Sequence, residues 1–204
     1  MIKKWIAAIF FFVCLVLITV SYFYWDIPLA IYCNGVNRSI VDIAQIITIL
    51  GESRWYYIIL VPAFVYFWFL AKNKLWSMRI LFLFISISAA GLISTLIKWL
   101  VGRYRPSMLD EGLYGFNFFG AGYELTSLPS GHTVTAFSLA AAVSILFPRV
   151  SIAAFIIAIS IGMTRIILTS HYLSDVIAGA GIGILSSMLV KYFFDRKKIE
   201  LIQK

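Results

Sequence analysis

The sequence predicts an all-α integral membrane protein with six transmembrane helices. Hydrophobic residues make up 62% of its 204 positions and charged residues 13%, where soluble domains carry about 25%. A soluble body of this size could not bury so much apolar surface, and a disordered chain would need the opposite composition. The apolar residues form six runs of about the length that crosses a bilayer. We therefore expect a single membrane domain, residues 1–204, without a separate soluble part.

The predicted spans follow one another through short connections. The first comes after two lysines and ends in an aromatic run, which is typical of a membrane interface; no small-residue cleavage site follows, so we interpret it as a span rather than a signal peptide. Residues 40–50 are apolar but interrupted by polar side chains, which predicts a helix lying at the interface. Pro106 is expected to stop the third span. The six spans are predicted at residues 6–25, 55–71, 78–101, 130–147, 150–168 and 172–194.

The charges predict the orientation in the membrane. If the N-terminus is cytoplasmic, eleven of the seventeen basic residues fall inside, among them Lys3 and Lys204, and seven of the nine acidic residues fall outside. The positive-inside rule therefore predicts a cytoplasmic (inner) membrane protein with both termini in the cytoplasm. The net charge of +8 is explained by this pattern. Because the cations form no patch with interleaved aromatic residues, no nucleic-acid partner is expected.

Seven polar side chains lie at the predicted outer ends of spans three to six. Ionisable groups at such positions are costly and indicate function. Three of the seven are cations, which together favour a polyanionic ligand, phosphate above all. Lys98 and Arg105 are seven residues apart and would share one face of a helix. The seven are Lys98, Arg105, Ser130, His132, Arg165, His171 and Asp175.

The fourth and sixth spans begin with groups suited to phosphate chemistry. Ser130 is a good helix N-cap, Gly131 lets the backbone approach a ligand, and the first N–H groups of a helix bind anions. His171 and Asp175 are four residues apart and share a face if both are helical. Asp175 could then accept the proton of one ring nitrogen and leave the other as a nucleophile, with His132 as general acid.

Other polar or reactive features point to structure rather than chemistry. Cys14 and Cys33 are expected to be free thiols. Gly179 and Gly183 lie within a span, where close helix packing explains them better than a nucleotide loop. The acidic residues of the segment 107–128 have no metal-ligand spacing, so we expect a solvated outer face there.

The polar residues form three spaced motifs. Lys98 is separated by six residues from Arg105-Pro106, and Pro-Ser-Gly-His occupies residues 129–132. Thr164-Arg165 is followed after five residues by His171, and after three more by Asp175. With these motifs the sequence resembles the type 2 phosphatidic acid phosphatase superfamily of membrane lipid phosphatases. The match covers the core 98–175, and its single departure is Thr164 in place of serine.

The resemblance implies a lipid phosphatase that forms a phosphohistidine and needs no metal or cofactor. His171 would be the nucleophile, Asp175 would orient it, and His132 would protonate the leaving oxygen and then activate water. The residues implied to bind the phosphoryl oxygens are Lys98, Arg105, Ser130, Gly131 and Arg165.

The substrate is expected to be a lipid phosphate or diphosphate at the outer (periplasmic or extracellular) face. Undecaprenyl diphosphate, phosphatidylglycerol phosphate, phosphatidic acid and lipid A all fit the family, and the segment 107–128 is the expected selector. Two other functions stay open at this point. One is a phosphotransferase that passes the phosphoryl group to a second lipid, and the other is a non-catalytic transporter of an anion or lipid.

Overall fold

The computed structural model describes residues 4–202, in which helices are joined by turns and loops. Within these residues, isolated bridges are the only β-structure. Lys3 and Lys204, which contribute to the charge pattern, lie outside the described residues. The α-helices are α1 (Lys4–Tyr24), α2 (Asp26–Asn34), α3 (Arg38–Thr48), α4 (Ser53–Val65), α5 (Lys74–Val101), α6 (Gly131–Leu146), α7 (Ser151–Ile167) and α8 (Leu173–Arg196).

Each predicted span is helical, and the predicted class of all-α membrane protein is confirmed. α4 contains Pro62, which lacks the N–H of a regular helix, and continues as a π-helical turn, Tyr66–Leu70. α6 has 16 residues and is shorter than a typical span, so the count of six spans stays a prediction. Between residues 4 and 202, five helical stretches are long and apolar enough to cross a membrane: 5–24, 38–70, 74–101, 148–167 and 173–196.

Two segments differ from the sequence-based expectation. The connection after the first span contains α2 as well as the expected interfacial helix, α3, whose location at the interface stays a prediction. α5 ends at Val101, because Gly102 adopts φ +56° and a Cβ there would lie 1.8 Å from the carbonyl oxygen of Asn117. Arg105 is consequently in extended backbone, and the prediction that it shares a helix face with Lys98 is wrong.

The core lies where α8 packs against α6, and glycines make their close approach possible. A Cβ on Gly183 would lie 2.6 Å from the backbone nitrogen of Ser138, and one on Gly179 would lie 2.8 Å from the carbonyl oxygen of Ser130. The predicted role of these glycines in helix packing is thereby confirmed. Cys14 packs against α8, and both cysteines are free thiols.

Candidate functional site

Carbonyl groups of the loop between α5 and α6 hold two of the predicted cations. Lys98, in the last turn of α5, donates to the carbonyl oxygen of Thr126. Arg105 donates through Nε to the carbonyl oxygen of Tyr123 and through Nη1 to that of Ser170, both at 2.9 Å. Arg105 also approaches Thr126, whose carbonyl oxygen lies 3.4 Å from Nη2. The loop therefore fixes both cations beside the residue that precedes His171.

His171 is buried immediately before α8 and is oriented by a backbone carbonyl. Its Nδ1 lies 2.8 Å from the carbonyl oxygen of Ser127 and 3.8 Å from Oδ2 of Asp175. The expected direct hydrogen bond to Asp175 is thus replaced by one to Ser127, because His171 stands outside the helix whose periodicity would have aligned the two side chains. With its proton on Nδ1, the ring keeps a free lone pair on Nε2.

Burial lowers the pKa of His171 to about 4, and although Asp175 opposes this shift, the positive charges of Arg105 and Lys98 add to it. At neutral pH the ring is therefore uncharged and its Nε2 is nucleophilic. The backbone N–H of His171 donates to the carbonyl oxygen of Arg165 at 3.2 Å, which ties the end of α7 to the same site.

Arg165 brings a third cation, which is buried at 9% exposure. Its Nη1 donates to Oγ1 of Thr48 at 2.7 Å, so the end of α3 orients the guanidinium. Within residues 4–202 its buried Nε has no hydrogen-bond partner. A planar guanidinium with an unused N–H is suited to a phosphoryl oxygen. Sequence analysis did not identify Thr48, since one threonine in an apolar helix carries no distinguishing signal.

The start of α6 has the geometry of an anion site. Ser130 occupies the N-cap position, but its side chain makes no capping hydrogen bond with the described part of the chain and accepts from Oγ1 of Thr133 at 3.0 Å. Its backbone N–H donates to the carbonyl oxygen of Asp175 at 3.1 Å, which joins α6 to α8. A Cβ on Gly131 would point into open space. The first turn of α6 is therefore accessible to a ligand.

A cavity of about 500 Å³ opens at this turn. Lys98, Gly131 and His132 line it, and its wall continues along α5 through Thr95 and Gly91, one and two turns deeper than Lys98. The other five predicted site residues lie in the layer that the hydrogen bonds above connect to this wall: Arg105, Ser130, Arg165, His171 and Asp175. The structure thus brings all eight predicted residues to one end of the helices.

Arg103 and Asp26 belong to this layer and were missed by the sequence analysis. Arg103 is 1% exposed and pairs with both Asp26 and Asp175. Burial disfavours its charge, yet the two carboxylates hold the pKa of Arg103 above its ordinary value. The partners lie 77 residues before and 72 residues after it, so no local pattern marks Arg103 as different from its neighbours.

The acidic residues of the long loop are exposed, as expected. Asp110 and Glu111 lie at the surface, and the exposed Glu124 accepts a hydrogen bond from Oγ of Ser107 at 2.9 Å. The same loop supplies the carbonyl acceptors for Lys98 and Arg105. Its position beside the site follows from those contacts.

An uncharged histidine lies among three basic side chains at the ends of membrane helices, an arrangement that is suited to phosphoryl chemistry. The family model of the PAP2 superfamily matches residues 79–199. The chain belongs to the PAP2 superfamily, as its motifs predicted.

Relatives and a solved structure agree with this assignment. The chain is 40% identical over 116 residues to a lipid A 1-phosphatase of Rhizobium johnstonii, across 56% of this chain and 48% of the relative. It is 31% identical over 171 residues to a lipid A 1-phosphatase of Rhizobium etli, across 78% of this chain and 73% of the relative. The match therefore spans about half the length of the first relative and about three quarters of the second.

The fold is that of a transmembrane PAP2 type phosphatidylglycerolphosphate phosphatase from Bacillus subtilis. The crystal structure of that protein superposes with a TM-score of 0.63, covering 95% of this chain and 97% of the other at 21% identity. The family model and the names of both relatives agree with the predicted class of membrane lipid phosphatase.

Proposed function

We propose that this protein hydrolyses the phosphate monoester or diphosphate of a lipid through a phosphohistidine, without a metal ion. The observation that carries the proposal is the state of His171. Its Nδ1 is bound to the carbonyl oxygen of Ser127 at 2.8 Å, and burial keeps the ring uncharged at neutral pH. Phosphoryl transfer is governed by positioning and charge, and Arg105 and Lys98 supply the charge beside this ring.

In the first step Nε2 of His171 attacks phosphorus and the bond to the lipid oxygen breaks, while a protonated His132 donates its proton to that oxygen. In the second step the now neutral His132 accepts a proton from water, and the resulting hydroxide displaces His171 from phosphorus. Free phosphate leaves and Nε2 regains its lone pair. Asp175 acts on His171 through Ser127, because Oδ2 of Asp175 accepts a hydrogen bond from the hydroxyl of Ser127 at 2.6 Å.

The phosphoryl oxygens are held by two kinds of donor. Lys98, Arg105 and Arg165 provide positive charge, which stabilises the negative charge of the transition state. Ser130 provides its hydroxyl and Gly131 its backbone N–H at the start of α6, where the cavity is open. Within residues 4–202 the Nε of Arg165 has no hydrogen-bond partner, so it is available as a donor to such an oxygen.

The shape of the cavity supports a lipid substrate. The wall that descends along α5 from Lys98 to Gly91 lies within a helix long and apolar enough to cross a membrane. A lipid can therefore place its phosphate at Lys98 while its tails stay in the bilayer. By the charge pattern we place the site at the outer face of the cytoplasmic membrane, with both termini in the cytoplasm.

We propose lipid A as the first substrate to test, because both relatives compared above are lipid A 1-phosphatases. Undecaprenyl diphosphate, phosphatidylglycerol phosphate and phosphatidic acid complete the test panel. The segment 107–128 is the proposed selector, because its carbonyl groups position Lys98 and Arg105. The whole of the motif-bearing core, residues 98–175, would then act as one catalytic unit within a single domain.

The test is release of free phosphate from these four lipids by the purified protein in detergent. His171→Asn keeps an N–H donor at the position of Nδ1, for the carbonyl of Ser127, but has no nucleophilic nitrogen, so we expect a loss of at least about 1000-fold in kcat. Asp195→Asn, at an exposed position of α8, is the matched control and should retain activity. A labelled phosphoryl group should remain on the wild-type protein after alkali and be lost in acid, as expected of a P–N bond.

Other outcomes would identify the alternatives. Label that appears on a second lipid, with little free phosphate, would show a phosphotransferase. Saturable lipid binding without any turnover would indicate a transporter and overturn the proposal. Full phosphate release by His171→Asn would overturn the mechanism while leaving the substrate class intact.

A further inference from the structure

Arg103 bridges two buried carboxylates behind the site. Its Nη2 lies 2.6 Å from Oδ2 of Asp26, and its Nη1 contacts Oδ1 of Asp175 and lies 2.6 Å from Oγ of Ser174. Asp26 and Arg103 are each 1% exposed, and Asp175 is fully buried. None of the proposed chemical steps uses Asp26 or Arg103.

We propose that Asp26 and Arg103 are positioning residues of the catalytic centre, which hold Asp175 and the first turn of α8 so that His171 stays aligned. The inference rests on the proposed function, because alignment matters only if His171 is the nucleophile. It extends the site beyond the family-matched segment 79–199, since Asp26 begins α2.

Asp175 transmits this alignment to His171. Arg103 holds Oδ1 of Asp175, while Oδ2 accepts from Oγ of Ser127 at 2.6 Å and from the backbone N–H of Tyr172 at 2.9 Å. The carbonyl oxygen of the same Ser127 accepts a hydrogen bond from Nδ1 of His171. A continuous chain of contacts therefore runs from Asp26 through Arg103, Asp175 and Ser127 to the imidazole.

Asp26 also fastens the start of α8 directly. Its Oδ1 accepts from the backbone N–H of Ser174 at 2.9 Å and from Oγ of Ser21 at 3.2 Å, and its Oδ2 accepts from Oγ of Ser174. A carboxylate at a helix N-terminus is favoured by the partial positive charge there. The first two helices of the chain thereby fix the turn that follows His171.

The arrangement requires the forked guanidinium of arginine. Its two terminal nitrogens each serve a different carboxylate, which the single ammonium group of a lysine could not do with the same geometry. Aromatic rings surround the group, with the ring centroids of Tyr172 and Tyr22 at 4.6 and 5.1 Å from Cζ. Buried ion pairs add little net stability on average, so stability alone is a weak explanation for this network.

The test compares kcat and KM of the full-length protein in detergent, with the best substrate of the lipid panel. For Asp26→Asn and Arg103→Lys we expect kcat to fall by about 100-fold, the effect of misplacing a catalytic group by roughly 1 Å. KM should change by less than about threefold, because the cations proposed to bind phosphate are untouched. Wild-type kcat in a folded Asp26→Asn protein would overturn the inference.

A matched serine pair decides the question if either charge variant fails to fold. Ser174 and Ser187 are both fully buried in α8 and both lose only a hydroxyl on substitution by alanine, but Ser187 bonds to Ser138 of α6, away from the network. We expect Ser174→Ala to lower kcat by about tenfold and Ser187→Ala to stay within about twofold of wild type, with similar thermal stability for both. Equal kcat for the two variants would overturn the inference.

Failure of the proposed function gives a different result. In that case the wild-type protein and Ser187→Ala would release no phosphate from any lipid of the panel, and the inference would fall with it. If wild type and Ser187→Ala are active, any absence of effect in Ser174→Ala and Asp26→Asn counts against the inference alone.

Discussion

Alanine at Gly179 would force α8 away from the first turn of α6, and its effect can be calculated from the contact geometry. The added Cβ would lie 2.8 Å from the carbonyl oxygen of Ser130, about 0.6 Å short of ordinary van der Waals contact. It would also lie 3.1 Å from Cβ of Thr133. Because the nearest atom belongs to the backbone, the strain must move the helix start rather than a flexible side chain.

That displacement acts on Ser130, a proposed phosphate-binding residue. A misplacement of 1 Å at a catalytic centre costs about 100-fold in rate, so a shift of about 0.6 Å should lower kcat by about 10- to 20-fold. Overpacking costs about 1–3 kcal/mol, while alanine gains about 1 kcal/mol over glycine in a helix interior. The net loss of stability should therefore be about 0–2 kcal/mol, comparable with the free energy of about 1.4–1.8 kcal/mol that a 10- to 20-fold loss of rate represents.

The assay is phosphate release together with thermal unfolding in detergent, with Gly181→Ala as the matched control. A Cβ on Gly181 would meet only the side chain of Cys14, at 3.3 Å, so this variant should keep wild-type kcat and be equally or slightly more stable. If Gly179→Ala has the same kcat as Gly181→Ala, the argument that close α6–α8 packing positions the site is refuted.

Three further predictions concern the protonation of His171, the orientation of Arg165 by Thr48, and activity in the absence of divalent metal ions. Because burial lowers the pKa of His171 to about 4, its ring stays uncharged as the pH falls. The acid limb of kcat/KM due to His171 should therefore lie near pH 4, and a limb at 6.5 that belongs to this histidine would contradict the assignment. Thr48→Val keeps the side-chain shape but removes the acceptor for Nη1 of Arg165, and should raise KM by about tenfold, whereas the exposed Thr19→Val should leave KM unchanged. Phosphate release should continue in excess EDTA; inhibition that a divalent cation reverses would count against the metal-free mechanism.

The helices within the predicted spans and the three motifs could be predicted because both depend on local sequence. Apolar runs of about 20 residues specify membrane helices whatever surrounds them. Likewise, His132, His171 and Asp175 follow from residue type and spacing. The prediction that Lys98 and Arg105 share a helix face failed because the backbone conformation changes abruptly between them. The helix that contains Lys98 ends at Val101, before Arg105, because Gly102 adopts positive φ.

Composition and motif spacing by themselves determined the membrane class, the family and the eight candidate residues. Only the tertiary structure decided which group orients His171, since the carbonyl of Ser127 belongs to the backbone and has no side-chain signature. Likewise, only the fold pairs Arg103 with Asp26 and Asp175, across 77 and 72 residues. Where α8 packs against the loop between α5 and α6, burial excludes water from Arg103, Asp26 and Asp175. Each charge must therefore be paired within the protein, by a residue that can be distant in sequence.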